Sequence, residues 1–259
     1  MKKTFTKLFL FVAMYLVVIP LFTVSAHAAG TILIPAYFYP DIWNTPNNWY
    51  TMCDTLPEQS VVIMNPASGP GTESNSDYTT VVSYCREQGI NVIGYVDTGY
   101  GTRSSTTVED EVDNYYDWYD VDGIFFDQMS SSSTNLSYYS SLYSYVHTNA
   151  PNNQELVVGN MGTVPTTDWA LDEPVVDTLV IFEGTQTSYG NFSMPGWASG
   201  YAPTDFAALV YDTASNDLSS TCSGLDTHGI GYRYITNDNG ANPWDILPSY
   251  WSTELSTCL

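Results

Sequence analysis

The sequence predicts an α/β protein built as a single (β/α)8 TIM barrel. Eight short apolar runs lie along the chain, segments of helical period separate several of them, and the runs are apolar throughout instead of alternating. Continuous apolarity is typical of parallel strands covered on both faces. Removing a predicted signal of 28 residues from the 259 leaves 231 residues, close to the roughly 250 of a typical barrel. An open, doubly wound sheet is the alternative architecture.

The predicted strands are the eight apolar runs, and polar or glycine-rich segments separate them. They span residues 31–39, 61–65, 91–97, 121–127, 155–160, 177–183, 205–212 and 229–236. Several of these runs end in an acidic or amide residue. Glycine and small polar residues beyond them are expected where a strand gives way to a turn.

Three intervals between the runs predict amphipathic helices. Residues 77–88 repeat apolar side chains at helical spacing and stop before Gly89, a residue that commonly ends helices. Thr106 and Glu109 form a capping-box pattern that predicts the start of a second helix. A third apolar stripe spans residues 136–146.

The first 28 residues have the pattern of a secretory signal peptide. Basic residues come first, an apolar segment spans residues 8–24, and a small-residue cleavage site ends at Ala28. We therefore expect a secreted protein with one domain, residues 29–259, and no membrane segment after cleavage. A retained membrane anchor is the alternative, but the apolar segment is short for a span and Pro20 interrupts it.

The predicted mature chain is strongly acidic. All three lysines lie in the signal, which leaves three arginines against 28 acidic residues, a formal net charge of −25. Such a surface disfavours nucleic acid and anionic lipid as partners. It suits a cationic polymer such as a partly deacetylated amino sugar, although the same charge also serves solubility outside the cell. We expect a monomer.

Four cysteines in an exported chain predict disulfides. Of the three possible pairings we favour Cys53 with Cys85 and Cys222 with Cys258, because each pair joins neighbouring predicted elements. The chain has no CxxC spacing and keeps only two histidines after cleavage. We therefore expect neither a zinc site nor a cofactor.

The candidate active site consists of the residues that close the apolar runs, because TIM barrels form their sites at the carboxyl ends of the strands. Glycoside hydrolysis needs two carboxyl groups beside the scissile bond and polar groups that hold sugar hydroxyls. Asp127 and Glu183 close the fourth and sixth runs and are the predicted catalytic acids. The predicted substrate-binding residues are Tyr39, Asn65, Asp97, Tyr100, Gln128, Asn160, Tyr211 and Asp238. Acids at strand ends also cap helices, an alternative that fits Asp97.

Aromatic residues are abundant near the strand ends. Tyr37, Tyr95 and Trp244 are among them, and such rings either stack on sugars or fill the core. A serine esterase is disfavoured, because Gly196–Gly200 (GWASG) places its serine one position late for the GxSxG motif.

An ordered set of motifs resembles the spherulation-specific, spherulin-4-like family. The motifs are IPAYFYP (34–40), IMNPASGPG (63–71), GYVDTGYG (94–101), VDGIFFDQ (121–128) and VIFEGT (180–185). The resemblance covers nearly all of the mature chain. It implies a (β/α)8 glycoside hydrolase like the characterised fungal members, which are endo-acting α-1,4-N-acetylgalactosaminidases that attack a galactosamine-containing exopolysaccharide.

The resemblance also implies one carboxylate after the fourth strand and one after the sixth, which Asp127 and Glu183 match. We hypothesise that Asp127 is the nucleophile and Glu183 the general acid/base of a retaining reaction. Gln128 departs from the family, whose characterised members have glutamate there. If that glutamate supplies the essential proton, the chain is impaired or only binds sugar. A non-catalytic carbohydrate-binding wall or matrix protein on the same fold is the alternative function. If Asp127 and Glu183 suffice, Gln128 holds a sugar hydroxyl or amide and activity survives. Another α-linked polysaccharide is the alternative substrate.

Overall fold

The structure, a computed structural model, describes residues 30–44 and 46–259 and is a closed barrel of eight parallel strands. The strands are β1 (Thr31–Ala36), β2 (Val61–Met64), β3 (Asn91–Asp97), β4 (Gly123–Asp127), β5 (Leu156–Asn160), β6 (Thr178–Thr185), β7 (Phe206–Tyr211) and β8 (Tyr232–Ile235). They follow chain order around the barrel, and β1 closes it by pairing with β8. The predicted (β/α)8 fold is confirmed. The predicted signal peptide lies outside the described residues.

Eight α-helices connect the strands of the described chain. They are α1 (Asn48–Thr55), α2 (Ser76–Glu87), α3 (Ser105–Tyr119), α4 (Leu136–Asn149), α5 (Trp169–Asp172), α6 (Gln186–Tyr189), α7 (Leu218–His228) and α8 (Trp251–Cys258). The three helices predicted from apolar spacing correspond to α2, α3 and α4. The predicted capping box is wrong, because α3 begins at Ser105 and Thr106 therefore lies inside its first turn.

Both predicted disulfides are present. Cys53–Cys85 links α1 to α2 and Cys222–Cys258 links α7 to α8, with Cα atoms 5.1 and 5.2 Å apart. Each bond therefore ties together two helices that are adjacent on the outside of the barrel. Disulfides closing loops of this size typically stabilise a fold by about 2–4 kcal/mol.

Gly123 is the point of closest contact between β4 and β5. A Cβ atom at this position would lie 2.1 Å from the carbonyl oxygen of Leu156. Because the obstacle is backbone, relief requires moving a paired strand. We expect Gly123→Ala to lower the free energy of unfolding by at least about 1–3 kcal/mol, measured by urea unfolding.

Gly196→Ala is the matched control for this substitution. Nothing lies within 4 Å of a Cβ atom built on Gly196, which belongs to the short helical turn Gly196–Gly200. The control should unfold at nearly the wild-type urea concentration. Equal losses of stability in the two variants would contradict the packing argument.

Helix α8 carries a carboxyl group into the protein interior. The Glu254 side chain is completely buried, and its Oε1 accepts a hydrogen bond from the Ile235 amide at 2.7 Å. Its Oε2 has no hydrogen-bond partner among the described residues. Burial raises the pKa of Glu254 well above its ordinary value. The folded chain therefore keeps this proton at pH values where the unfolded chain releases it.

We expect Glu254→Gln to stabilise the protein at pH 8 and to leave it nearly unchanged at pH 4. A raised pKa in the folded state contributes stability below the unfolded pKa, and this stability is lost as pH rises towards the folded pKa. Glutamine keeps the acceptor for Ile235 and does not ionise. Each unit of pKa difference removed corresponds to about 1.4 kcal/mol. Urea unfolding at both pH values measures the effect, and a variant less stable than wild type at both would contradict it.

The helices that surround the barrel are short. Within residues 30–44 and 46–259, none combines the length and the apolar character needed to cross a lipid bilayer. In the same part of the chain, no three His, Cys, Asp or Glu side chains converge in an arrangement that would hold a metal ion.

Candidate active site

Asp127 and Glu183 lie at the carboxyl end of the barrel, where one side chain bridges them. Asn160 Nδ2 donates to Asp127 Oδ1 at 2.9 Å and to Glu183 Oε2 at 2.6 Å. The two carboxylate oxygens can be no further apart than the sum of these distances, about 5.5 Å. The two predicted catalytic acids are thus brought together, with an amide between them.

Three consecutive strands supply this cluster. Asp127 is the last residue of β4, Asn160 is the last of β5, and Glu183 lies in β6. The predicted end of β6 at Glu183 is wrong, since Glu183 pairs with Leu209 and the strand continues to Thr185. The register of β6 against β7 shifts between Val180 and Phe182. A bulge of this kind beside an active site commonly re-aims the side chains that follow it.

The Asn160 amide is fully occupied by protein groups. Its Oδ1 accepts the Gly162 amide hydrogen at 3.0 Å, which fixes the NH2 group towards the two acids. The residue is buried, with 5% of its surface exposed. An amide has two donor hydrogens, and here each one is bonded to a carboxylate. Asn160 therefore positions the acids, and the substrate-binding role predicted for it from the sequence stays a prediction.

The environment of Asp127 combines burial with several donors. Tyr95 donates its hydroxyl hydrogen to Asp127 Oδ2 at 2.8 Å. Burial raises the pKa of Asp127, and the hydrogen bonds from Tyr95, the Gln128 backbone and Asn160 oppose that rise. The negative charge of Asp97, its register partner on β3, raises the pKa further. Its donors favour the ionised form, but burial is the largest effect and the pKa of Asp127 is raised overall.

Glu183 is partly buried, and the charge of Asp127 acts on it. Burial is the main cause of its raised pKa, the hydrogen bond from Asn160 opposes it, and the negative charge of Asp127 adds to it. A hydrogen bond from Trp244 lowers the pKa slightly. Glu183 consequently holds a proton to higher pH than an ordinary glutamate, as a general acid requires.

Glu183 lines an open cavity of about 570 Å³, a volume within the size range of ligand sites. It is lined by Tyr37, Asn65, Pro66, Ala67, Ser68, Glu183, Tyr211, Gly240, Ala241, Asn242, Pro243 and Trp244. Two predicted substrate-binding residues, Asn65 and Tyr211, are in this wall. The Tyr211 ring meets the Trp244 ring edge-on, with centroids 5.7 Å apart. Aromatic and amide groups therefore face any molecule that reaches Glu183.

The loops after β3 and β4 hold each other in left-handed backbone conformations. Tyr100 has φ 57° and Gln128 has φ 49°, values that are uncommon outside glycine. The Tyr100 amide donates to the Gln128 carbonyl at 2.7 Å, and Thr98 Oγ1 donates to the same carbonyl at 2.8 Å. Asp97 accepts the Gly99 amide at 2.6 Å, the turn role considered for it above. These contacts fix the backbone directly beyond Asp127.

Two predicted substrate-binding residues lie away from the cavity wall. Strand β1 ends at Ala36, so that Tyr37 is the residue beside Glu183 and Tyr39 lies further out. Tyr39 is 56% exposed and donates to Asp77 Oδ2 at 2.8 Å. Asp238 accepts the neighbouring Asn239 amide at 2.8 Å and is not among the cavity-lining residues. Neither side chain lies beside Asp127 or Glu183.

Two aromatic residues, Tyr95 and Trp244, have roles that the sequence did not predict. Tyr37, Tyr95 and Trp244 were expected to stack or to fill the core, yet Tyr95 and Trp244 donate hydrogen bonds to the two acids. The sequence did hold a signal for Tyr95. It lies two positions before Asp97 on β3, and alternate residues of a strand share a face.

The arginines of the described chain are all paired with carboxylates. The ion pairs are Arg86 with Asp120 and Asp122, Arg103 with Glu111, and Arg233 with Asp226. Arg103 also donates to the Asp97 carbonyl, behind the turn that follows β3. Residues 30–44 and 46–259 therefore offer the candidate site no unpaired arginine or lysine.

Comparison with known proteins agrees with this architecture. Spherulin-4 of Physarum polycephalum is 28% identical over 239 residues, covering 87% of this chain and 69% of its own. The crystal structure of Aspergillus clavatus Sph3 in complex with GalNAc superposes with a TM-score of 0.75 at 20% identity, covering 89% of this chain and 98% of that one. A Rhizomucor miehei chitinase gives 0.53 at 12% identity, covering 82% and 97%. The spherulation-specific family 4 model matches residues 31–258, and the chain therefore belongs to that family.

Proposed function

We propose that this chain is a glycoside hydrolase in which Asp127 and Glu183 cleave the glycosidic bond. The observation that carries the proposal is the Asn160 bridge, which holds one oxygen of each of two partly buried carboxyl groups within about 5.5 Å at the end of the barrel. Retaining glycosidases separate their acids by about 5–5.5 Å and inverting ones by about 6.5–9.5 Å. The geometry therefore favours retention.

We assign the roles of the two acids from their hydrogen-bond donors and from the causes of their pKa shifts. Asp127 has donors from Tyr95, Asn160 and the Gln128 backbone that stabilise its ionised form. Glu183 has its pKa raised by burial and by the charge of Asp127. Asp127 would attack the anomeric carbon while Glu183 gives its proton to the departing glycosidic oxygen. Glu183 would then take a proton from water, whose oxygen displaces Asp127 and releases the sugar.

The substrate we infer is an α-1,4-linked polymer of galactosamine and N-acetylgalactosamine, cut internally. Family membership supports this choice, as does the fold shared with Sph3, whose structure contains GalNAc. The site presents carboxylates, amides and aromatic rings, and the nearby Arg103 is paired with Glu111. Such a surface accepts neutral or cationic sugars and disfavours uronic acids.

Secretion is part of the proposal. The first 28 residues carry the signal pattern, and both disulfides are of the kind that persists in oxidising compartments. The protein would then meet its polymer outside the cell.

A second candidate function is carbohydrate binding without cleavage. The observation in its favour is Gln128, an amide beside Asp127 where the family resemblance leads one to expect glutamate. This alternative predicts a protein that is retained by the polymer and produces no new chain ends.

One experiment separates these functions. The secreted protein is incubated with purified polysaccharides, including α-1,4-linked galactosamine polymers of graded acetylation, and reducing ends are measured. New ends from the galactosamine polymers support the proposal, whereas ends only from another α-linked polysaccharide assign a different substrate. Retention on a polymer column with no reducing ends in any sample favours the binding function.

A further inference from the structure

Tyr37 is the residue near the two acids for which the proposed mechanism has no use. It is the first residue after β1, and its amide donates to the Trp244 carbonyl at 3.1 Å. That bond ties the end of β1 to the loop after β8, instead of continuing the sheet. Its side chain is partly buried and lines the same cavity as Glu183.

The Tyr37 ring is held firmly, whereas its hydroxyl is left free. The ring meets the Tyr95 ring edge-on, with centroids 5.7 Å apart. Asp127 receives its side-chain hydrogen bonds from Tyr95 and Asn160, and Glu183 receives its own from Asn160 and Trp244. None of these donors is Tyr37.

The protonation state of the Tyr37 hydroxyl is set by burial and by the charges around it. Burial raises the pKa of Tyr37 well above its ordinary value, and the charges of Asp127 and Glu183 both add to the rise. The phenol thus remains a neutral donor close to both acids throughout the physiological range. The Tyr37 hydroxyl has no hydrogen-bond partner among the described residues and belongs to a side chain that lines the cavity. A bound sugar that covers this donor costs free energy unless it accepts the hydrogen bond.

We propose that the Tyr37 hydroxyl donates a hydrogen bond to the sugar unit held between Asp127 and Glu183, which makes Tyr37 a third functional side chain of the site. The inference rests on the proposed carbohydrate function and extends it. We place the accepting sugar oxygen near the reacting carbon, because Tyr37 lines the cavity with Glu183 and its ring contacts Tyr95, the donor to Asp127. Hydrogen bonds to substituents beside the reacting carbon strengthen in the transition state of glycoside hydrolysis.

The test uses Tyr37→Phe, which removes only the hydroxyl and keeps the ring against Tyr95. The matched control is Tyr115→Phe on α3, whose hydroxyl is buried, has no hydrogen-bond partner among the described residues and lies outside the cavity lining. Both variants are compared with wild type for cleavage of α-1,4-linked N-acetylgalactosamine oligomers, for oligomer affinity by calorimetry, and for thermal stability. We expect Tyr37→Phe to lose about tenfold or more in kcat/KM, mostly in kcat, with the control within about twofold of wild type.

The outcomes separate this inference from the function on which it rests. If wild type cleaves and Tyr37→Phe cleaves equally well, the inference is wrong and the hydrolase stands. If wild type binds without cleaving, hydrolysis is wrong, and a severalfold weaker affinity of Tyr37→Phe still supports the contact. Unchanged affinity in that case overturns it. A wild-type protein that neither binds nor cleaves any oligomer overturns both.

Discussion

Replacing either acid by its amide, Asp127→Asn or Glu183→Gln, is expected to reduce cleavage of the galactosamine polymer by about 10²–10⁴-fold. Each substitution preserves size and removes the ability to ionise. The pKa of each group is raised by burial, so that losing the charge should not reduce stability. Initial rates of reducing-end formation and thermal unfolding, measured on the same samples, check both expectations.

The control for these variants is Asp212→Asn. Asp212 directly follows β7 but is exposed, and its Oδ1 accepts a hydrogen bond from Asn239 at 3.2 Å. It is therefore an acid at a strand end that only holds a loop. The control should cleave at close to the wild-type rate. Equal rates for Asp127→Asn, Glu183→Gln and wild type would refute the catalytic assignment.

Adding azide to alanine variants of the two acids distinguishes the nucleophile from the general acid/base. In Asp127→Ala the space left by the nucleophile admits azide, which should displace an activated leaving group and give a glycosyl azide of inverted configuration. In Glu183→Ala azide should instead attack the glycosyl-enzyme and give the retained configuration. Proton NMR of the products distinguishes them, and the opposite pairing of variants and products would exchange the roles.

The barrel itself was predictable because its strands are buried on both faces. All four residues of β2 are buried, as are five of the six in β1. A run of that kind is visible locally in the sequence. Both disulfides followed from the same reasoning, because each joins helices that are neighbours around the barrel.

Strand ends and side-chain roles were harder to predict, because they depend on distant partners. The chain leaves the barrel after Ala36, where the Tyr37 amide bonds to Trp244 more than 200 positions away. The sequence placed the strand end at Tyr39 and therefore pointed to Tyr39, whereas the structure puts Tyr37 in the cavity wall with Glu183. The bulge before Glu183 arises from pairing with β7 and leaves no local pattern. The role of Asn160 could not be predicted either, because its two partners lie on the neighbouring strands β4 and β6.

Asn160→Asp is expected to abolish most cleavage at neutral pH, by about 100-fold or more, since two hydrogen bonds to charged groups are lost at about 1.5–3 kcal/mol each. The amide group bonds both acids through its two hydrogens. A carboxylate of the same shape has none and adds a like charge between them. All three carboxyl groups would then bind protons more tightly.

The same reasoning predicts that Asn160→Asp changes how stability and cleavage depend on pH, which a merely structural defect would not do. Because the pKa values of the acids rise further in Asn160→Asp, its stability should be closest to wild type in acid and should fall as pH rises through those values. Its optimum for cleavage should move to higher pH for the same reason, because the reaction needs Asp127 ionised and Glu183 protonated. Rates and thermal unfolding between pH 4 and pH 8 test both.

Asn216→Asp is the control for added charge, because Asn216 is exposed on the turn before α7. It introduces the same negative charge and should keep both the wild-type rate and the wild-type optimum. If Asn160→Asp behaves in the same way as this control, the bridge is dispensable and the acids are held apart by the strands alone. If only Asn160→Asp shifts its optimum, the bridging amide is what allows two buried carboxyl groups to sit within about 5.5 Å and still divide one proton between them.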